Sequence, residues 1–401
     1  MKKIWVIAPF TSVEKLGYRN RFQYIAKILQ DKNYEVHLFT SDYTHLKWKY
    51  KNESIAKNYP FKVHFIHETG YTSTISIKRA ISHINFARNL KKEIKRQEKP
   101  DLIYCAYPMM TSAYFAGKFA QKKGIPFILD IQDTWPESIS AGINTNNIFV
   151  KICMFPFTVY ANMIYRMADL IVGVSETYAN RGKVRGGKAK EFISVYIGAE
   201  GNKFDEVKFK NLKENKDEVW ITYIGTLSHS YDIGTAIEAF KLLEDNKNIK
   251  LYILGHGPDF CELKAKSEKL GLLGKTVFFE GFVPYEEMVN FLKNSDIALN
   301  AIKGKALQTI TNKFGDYVSA GLPLLNSCQA KEVLNLVKDK KLGVNYIPGD
   351  RESLKNGILE ILKDKNMLKQ YSKNCKEFAQ EKFDRRKSYK IILDKIKKMM
   401  E

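Results

Sequence analysis

Short apolar runs alternate with amphipathic stretches along nearly the whole chain, and this alternation is the strongest constraint on its fold. Ile4–Ala8 is the first apolar run. The stretch after it places apolar residues on one helical face, at Phe22, Ile25, Ala26 and Leu29. Uninterrupted apolar strands are typical of parallel sheets that helices cover on both faces. The sequence therefore predicts an α/β fold made of doubly wound sheets.

The alternation is interrupted once, by a charged stretch at Phe204–Glu218 that we predict to be a linker, and it resumes at Trp220–Ile224. Single domains commonly contain about 100–200 residues, so a chain of 401 residues is expected to form two. We predict one domain at residues 1–205, a second at 206–378, and a last segment at 379–401 that contains a basic helix.

Residues 308–325, QTITNKFGDYVSAGLPLL, are predicted to form a polar loop, a helix and a short buried strand. Thr311 and Asn312 are expected to cap the helix start. Lys313 lies in the first turn, where a cation is unfavourable unless an anion is near, because the helix start is itself positive. Asp316 follows one turn later and can accept hydrogen bonds from a sugar diol. The segment therefore predicts an anion-binding site.

Glycines or a Gly-Phe pair follow three predicted strands of the second half, where ligands bind in doubly wound sheets. Each glycine either lets a ligand approach the backbone closely or only forms a tight turn, and the sequence leaves both interpretations open. The loops contain no GxGxxG motif that opens a helix, which disfavours a dinucleotide site. The candidate residues are Gly225, Thr226, Gly255, Gly257, Phe282 and Val283.

The order and spacing of IGT, LGHGP, FFEGFVP, SDIALNA and TNKFGDYVSAGLP resemble the nucleotide-sugar domain of family 4 glycosyltransferases, which are retaining enzymes of the GT-B fold. DIQDTWPES, at Asp130–Ser138, resembles a subgroup that builds bacterial surface polysaccharides. The resemblance implies two Rossmann-like domains that face a cleft. Residues 1–205 would bind the acceptor, residues 206–378 would bind the donor, and the helix in 379–401 would return to the first domain.

The resemblance also implies roles for individual residues. Asp316 would contact the ribose, and Gln308, where the family usually has Glu, would contact the donor sugar. The diphosphate would contact Lys313, helped by the KGK stretch (Lys303 and Lys305) or by His229; a solvated KGK loop is the alternative. The predicted catalytic residues are Asp133, Gln308 and Lys313. The predicted donor-contacting residues are Gly17, Gly225, Thr226, Gly255, Gly257, Phe282, Val283, Thr309, Asn312, Lys313 and Asp316.

The first half offers fewer candidates. Asp133 is expected to steer the acceptor hydroxyl, or instead to cap its own turn. Arg19 and Arg21 either clamp an acceptor phosphate or form the exposed side of a helix. Enzymes of this family are thought to use the departing phosphate itself as the base. Positive groups can stabilise that phosphate without Mg²⁺, and the chain has no DxD cluster.

The net charge of +21, from 65 basic and 44 acidic residues, predicts an anionic partner or reflects lysine-rich solvated faces. A UDP-sugar donor fits this charge, and so does a polyprenyl-linked acceptor at the inner face of the plasma membrane. The basic helix predicted at Ile77–Lys99 either lies on an anionic bilayer or is an ordinary surface helix. The resemblance to the DxWPES subgroup implies capsule, O-antigen or exopolysaccharide synthesis as the process.

Three other functions stay open: a GT-B epimerase or hydrolase of nucleotide sugars, a scaffold derived from a transferase that Gln308 disabled, and a nucleic-acid-binding protein. The last has charge in its favour but no recognisable binding motif.

The cysteines and the apolar stretches indicate which cofactors and which cellular location to expect. The five cysteines lack metal-ligand spacing, which predicts reduced cytosolic thiols and no metal or other cofactor. The first apolar run is too short for a signal peptide. Lys151 and Asn162 interrupt the longest apolar stretch, so no membrane span is expected.

Overall fold

In the computed structural model, two compact units are present: Ile197–Ser388, and Met1–Tyr196 together with Tyr389–Glu401. The described residues are 1–13, 20–44, 48–73, 76–140, 147–184, 189, 191–198, 201–304 and 309–401.

The first unit contains a parallel sheet of seven strands in the order β5-β2-β1-β6-β7-β8-β9. Its strands are β1 (Lys3–Ile7), β2 (Glu35–Ser41), β5 (Lys62–Ile66), β6 (Leu102–Tyr107), β7 (Phe127–Ile131), β8 (Leu170–Gly173) and β9 (Glu191–Ser194), and a small antiparallel hairpin consists of β3 (Tyr43–Thr44) and β4 (Lys49–Tyr50). The helices are α1 (Arg21–Gln30), α2 (Ile77–Ile94), α3 (Met110–Lys123), α4 (Ile148–Tyr165) and α5 (Glu176–Val184). Every residue of β1 is buried, as expected for a strand that helices cover on both faces.

The second unit contains a parallel sheet of six strands in the order β12-β11-β10-β13-β14-β15. Its strands are β10 (Val219–Ile224), β11 (Ile249–Leu254), β12 (Val277–Gly281), β13 (Ile297–Asn300), β14 (Leu324–Asn326) and β15 (Gly343–Asn345). The helices are α6 (Gly201–Glu206), α7 (Ile233–Lys241), α8 (Phe260–Lys269), α9 (Tyr285–Asn294), α10 (Asn312–Ala320), α11 (Lys331–Asp339), α12 (Arg351–Lys363), α13 (Lys365–Lys382) and α14 (Arg385–Ser388).

The last helix, α15 (Lys390–Met400), belongs to the first unit. Ile392 and Ile396 are fully buried in the core between the sheet and α1, and Tyr389 is buried beside them. Lys395 forms an ion pair of 2.7 Å with Glu191 on β9. Apolar burial therefore holds the chain end on the first unit. The prediction of two doubly wound α/β units, with a C-terminal helix on the first, is confirmed.

The charged stretch predicted as a linker lies inside the second unit and packs along α9. The backbone N–H of Lys210 donates to Asn290, and that of Leu212 donates to Asn294, both at 3.0 Å. Lys213 pairs with Asp296 at 2.6 Å. Hydrogen bonds from the backbone can order a charged strip while its side chains stay in water, and composition alone does not reveal this. The units meet in the chain at residues 196/197 and 388/389, whereas the sequence placed its boundaries after residues 205 and 378.

Candidate functional site

The second sheet changes winding direction between β10 and β13, and the candidate site lies where these two strands end. Tyr317 on α10 fixes the geometry there. Its hydroxyl accepts from the backbone N–H of Ile224 at 2.9 Å and donates to the carbonyl of Leu299 at 3.2 Å. One side chain therefore holds α10 against the ends of both strands.

The loops after β10 and β11 pack directly on each other, which explains two of the glycines. A Cβ on Gly255 would lie 1.8 Å from the carbonyl oxygen of Gly225, and one on Gly257 would lie 2.1 Å from that of Leu227. Both distances are far below the van der Waals contact distance. Gly255 and Gly257 are therefore required by backbone packing, and this was the turn interpretation that the sequence left open.

Gly225 is different, because it borders a cation. Its backbone has a φ of +124°, and a Cβ there would lie 3.3 Å from Nζ of Lys313. Gly225 and Thr226 are both exposed. The absence of a side chain at Gly225 thus leaves backbone and Lys313 facing the same space.

Replacing Gly255 with alanine is expected to lower the free energy of unfolding of the second unit by about 2–4 kcal/mol, because a positive φ and an overlap with backbone add together. Gly271→Ala is the matched control. Gly271 also has a positive φ, +71°, but a Cβ there would meet nothing within 4 Å, so a loss of only about 1 kcal/mol is expected. Urea unfolding of both variants measures the difference. Equal losses would show that the two loops are not held together as described.

Lys313 is 8% exposed and lies among aromatic rings. Its Nζ donates to the hydroxyl of Tyr223 at 2.9 Å and lies 4.3 Å and 3.6 Å from the ring centroids of Tyr223 and Tyr231. None of the ion pairs found in the described part of the chain includes it. Burial lowers the pKa of Lys313 to about 7. A buried ammonium with only ring and hydroxyl partners is well placed to receive an anion.

The start of α10 has no side-chain cap from its N-cap residue. The helix begins at Asn312, as predicted, and Thr311 is its N-cap residue. The Thr311 side chain, however, makes no capping hydrogen bond, and its Oγ1 is buried with no partner among the described residues. Asn312 is exposed and Thr309 is buried. The prediction that side chains cap this helix is therefore wrong for Thr311, and first-turn N–H groups are left for another acceptor.

Asp316 lies one turn further along α10 and is partly buried. Burial raises the pKa of Asp316 to about 7, although the Arg385 guanidinium opposes the shift. The carboxyl group can therefore both accept and donate hydrogen bonds near neutral pH, which suits a diol.

An exposed aromatic ring lies at the end of β12. Phe282 is 86% exposed and Val283 is partly exposed. Before them, burial raises the pKa of Glu280, and Glu287 adds to this. The N–H of Gly255 donates to the carbonyl of Gly281 at 2.6 Å, which joins this strand end to the loop after β11. A flat apolar ring at a strand end is a suitable surface for a nucleobase.

Sequence reasoning missed the tyrosines around Lys313 and a ladder of asparagines. Nδ2 of Asn300 donates to Asn326, and Nδ2 of Asn326 donates to Asn345, both at 2.7 Å, across the ends of β13, β14 and β15. Asn at three paired strand ends was visible in the sequence, but only the strand register shows that these residues touch.

Three predicted residues, Gly17, Lys305 and Gln308, lie outside the described residues, as does Arg19. Of the other proposed diphosphate contacts, Lys303 is partly exposed and His229 is exposed. The structure therefore brings together Lys313, Gly225 and the start of α10.

Asp133 belongs to the first unit, and its carboxylate is engaged in its own turn. Oδ1 accepts from the backbone N–H of Thr134 at 2.8 Å and from the Ser138 hydroxyl, and Oδ2 accepts from Nε1 of Trp135 at 3.2 Å. This is the turn-capping arrangement that the sequence left open beside an acceptor role.

Arg21 forms a buried ion pair, contrary to both sequence interpretations. Its Nε lies 2.8 Å from Oδ2 of Asp130, and both side chains are buried. Its Nη1 donates to the carbonyl of Val195 at 2.9 Å and to the Tyr389 hydroxyl at 3.0 Å. Tyr104 also donates to Asp130. Arg21 therefore joins α1 to β7, to the residue that follows β9 and to the chain end, and it is not available to an acceptor phosphate.

No group of three or more metal-ligating side chains occurs among the described residues.

Both halves of the chain match family models. The model described as "Glycosyltransferase Family 4" matches residues 17–192, and that described as "Glycosyl transferases group 1" matches residues 204–378. The matches fall in the first and second unit, respectively.

Two curated relatives are similar over part of the chain. The uncharacterized glycosyltransferase MJ1069 of Methanocaldococcus jannaschii is 27% identical over 256 residues, which cover 61% of this chain and 63% of that protein. The alpha-monoglucosyldiacylglycerol synthase of Streptococcus pneumoniae is 27% identical over 179 residues, which cover 42% of this chain and 39% of that protein. This chain thus spans less than two thirds of either relative.

Among solved structures, Alr3699/HepE of Anabaena in complex with UDP has a TM-score of 0.72 and 14% identity, over 99% of this chain and 100% of that one. The structural similarity, and therefore the shared fold, covers nearly the whole chain.

Proposed function

We propose that this chain, which belongs to the glycosyltransferases by both of its units and has their GT-B fold, transfers a sugar from a UDP-linked donor to a glycan or a polyprenyl-linked acceptor, with retention of configuration. The activity would be a hexosyl or N-acetylhexosaminyl transfer. The resemblance of Asp130–Ser138 to the subgroup with the DxWPES motif supports a role in bacterial capsule, O-antigen or exopolysaccharide synthesis.

The observation that carries this proposal is the setting of Lys313. A buried ammonium with no ion-pair partner among the described residues faces the same space as the helix start that Thr311 leaves uncapped and a glycine backbone. The ammonium and the helix start each favour an anion, and together they suit a diphosphate. A desolvated cation would stabilise the charge that develops on the leaving diphosphate, and we propose that the reaction needs no metal ion.

The rest of the donor extends from this point. Asp316 would hold the ribose hydroxyls, Phe282 and Val283 would contact the base, and Gln308 would contact the sugar. The bond from the anomeric carbon to the phosphate oxygen breaks while the acceptor oxygen bonds to that carbon on the same face. The acceptor proton passes to the departing phosphate. Asp133 would orient the acceptor through the turn that it caps.

The acceptor and the location are proposed on charge and similarity. A net charge of +21 favours work at an anionic surface, and the streptococcal relative is named for synthesis of a glucosylated diacylglycerol. We therefore place the chain in the cytoplasm, peripherally bound to the inner face of the plasma membrane.

Thermal unfolding with a panel of UDP, GDP, CDP and TDP sugars, without added metal, tests the donor site. A ligand present at one hundred times its dissociation constant is expected to add about 2.7 kcal/mol to the free energy of unfolding. A rise with UDP sugars is the expected result. Stabilisation by sugars of another base would assign a different donor. No stabilisation by any of them would contradict the proposal and would favour a scaffold or a nucleic-acid-binding role.

A further inference from the structure

The helix α4 carries large apolar side chains that the described protein leaves uncovered. Only Ala161, Ile164 and Tyr165, all near its end, are buried. Phe149 is 74% exposed and Phe155 is 66% exposed. Other exposed members are Ile148, Ile152, Phe157, Val159 and Met163. Exposed apolar side chains concentrated on one helix of a globular protein usually mark a contact with a partner or with lipid.

The length and composition of α4 would allow it to cross a membrane, but its place in the fold excludes this. α4 connects β7 to β8, and these strands pair side by side and parallel in one sheet, from Ile128 with Leu170 to Ile131 with Gly173. A helix that crossed a bilayer would put β7 and β8 on opposite sides of it. Both ends of α4 must therefore stay on the same side, and the helix can enter lipid only along the plane of the surface.

Two helices on the same face of the sheet as α4, namely α2 and α3, are strongly basic. α2, α3 and α4 are successive crossovers of the sheet, and crossover handedness places them on one face. α3 lies between the other two: its Tyr114 ring lies 5.2 Å from that of Tyr160 on α4, and Nζ of Lys91 on α2 lies 5.1 Å from its Phe115 ring. The three helices contain nine Lys or Arg residues and a single acid, Glu93.

Part of α2 extends the same surface. Ala87, Leu90 and Ile94 of this helix are buried in the core, whereas Ile77, Ile81 and Ile84 are exposed. The exposed isoleucines lie at the beginning of the helix. Positive charge beside uncovered apolar side chains matches an anionic bilayer, where the charges contact head groups and the rings enter the acyl boundary.

We propose that α4 is a membrane-entering helix, which lies in the plane of an anionic lipid surface with Phe149 and Phe155 inserted and the basic side chains of α2 and α3 on the head groups. The inference deepens the proposed function, on which it rests for the acceptor's location. It names the element that holds the first unit to the membrane.

The two exposed cysteines offer a matched pair of probe sites. Cys153 lies on α4 and Cys261 lies on α8 of the second unit, whereas the other three cysteines are buried. We would label Cys261→Ser and Cys153→Ser proteins with a polarity-sensitive thiol dye. Vesicles of phosphatidylcholine with phosphatidylglycerol are expected to shift the emission of the dye at Cys153 to the blue and to leave the dye at Cys261 unchanged. Vesicles of phosphatidylcholine alone should have little effect.

Sedimentation with the same vesicles measures the contribution of the rings. The double variant F149Q/F155Q is expected to bind about tenfold more weakly or worse, because two aromatic side chains no longer leave water. Phe209→Gln is the control, since Phe209 is 61% exposed in the second unit, and it should bind as the original protein does. These side chains are exposed, so the variants should fold.

Several outcomes would overturn the proposal: no vesicle binding, equal binding by F149Q/F155Q, or an unchanged dye at Cys153 in protein that does bind. A dye already shifted to the blue without lipid, in a protein that elutes as a dimer, would instead assign the surface to a second copy of the chain. Nucleotide protection is measured in parallel. Its absence alongside intact vesicle binding would count against the transferase proposal and not against this one.

Discussion

Replacing Lys313 with methionine is expected to lower kcat by about 10²–10³-fold, the largest effect we expect from a single change in this chain. Methionine keeps the length and apolar character of the side chain but removes the charge that would stabilise the leaving diphosphate. The ammonium lies among the rings of Tyr223 and Tyr231, so an uncharged side chain fits there without loss of packing. Steady-state transfer from a UDP sugar measures the effect.

Lys331→Met is the matched control. Lys331 is also in the first turn of a helix of the second unit, but it is exposed. Its replacement should leave kcat unchanged. A Lys313→Met protein that keeps full activity would show that the diphosphate is held elsewhere.

The titration of Lys313 adds a signature that a purely structural lysine would lack. Its pKa is about 7 in the folded protein and ordinarily 10.5. Between these values the unfolded chain holds a proton that the folded chain lacks, so the free energy of unfolding falls as the pH falls from about 10 to 7, and it levels off below 7. A bound diphosphate should restore the charge. Calorimetry follows diphosphate binding near pH 8 in buffers of different ionisation enthalpy. We expect the original protein to take up about one proton for each diphosphate bound, and Lys313→Met to take up none.

The second large effect is expected from Arg21→Met, which should lower the free energy of unfolding of the first unit by about 3–5 kcal/mol. The change leaves the Asp130 carboxylate buried without its cation, and breaking a buried pair from one side carries this cost. It also removes the donor to Val195 and Tyr389, which holds the chain end. For a unit of this size the unfolding midpoint should fall by about 6–20 °C.

Lys27→Met provides the comparison on the same helix. Lys27 pairs with Asp31 at 2.5 Å, but Lys27 is partly exposed and Asp31 is exposed, so less than about 1 kcal/mol should be lost. Nucleotide protection should persist in Arg21→Met at low temperature, because Lys313 is in the other unit. Equal losses from the two variants would contradict the structural role of Arg21.

Much of the candidate site could be predicted from one segment. The start of α10 at Asn312, its end at Gly321 and the unusual place of Lys313 in the first turn all follow from helix termination and helix charge, which act over a few residues. The surroundings of Lys313 could not be predicted. Tyr223 is distant in the chain and resembles any other buried strand residue.

The basic residues show the same limit. Arg21 stands at the start of a helix, where the sequence suggested an anion, and the structure supplies one from Asp130, more than a hundred residues away. Asp133 lies three residues after Asp130 and accepts hydrogen bonds from within its own turn. A local pattern shows that a charge needs a partner, but not which partner it has.

By itself, the sequence determined the alternation of strands and helices, the parallel sheets and the glycosyltransferase resemblance, because periodicity, caps and short motifs depend on neighbouring residues. Only the tertiary structure decided which apolar side chains remain uncovered. α4 has the composition of a buried helix, but in the part of the chain that the structure describes its fully buried residues all lie near its end. Burial depends on what the rest of the fold brings against a surface, and residue spacing along a helix does not contain that information.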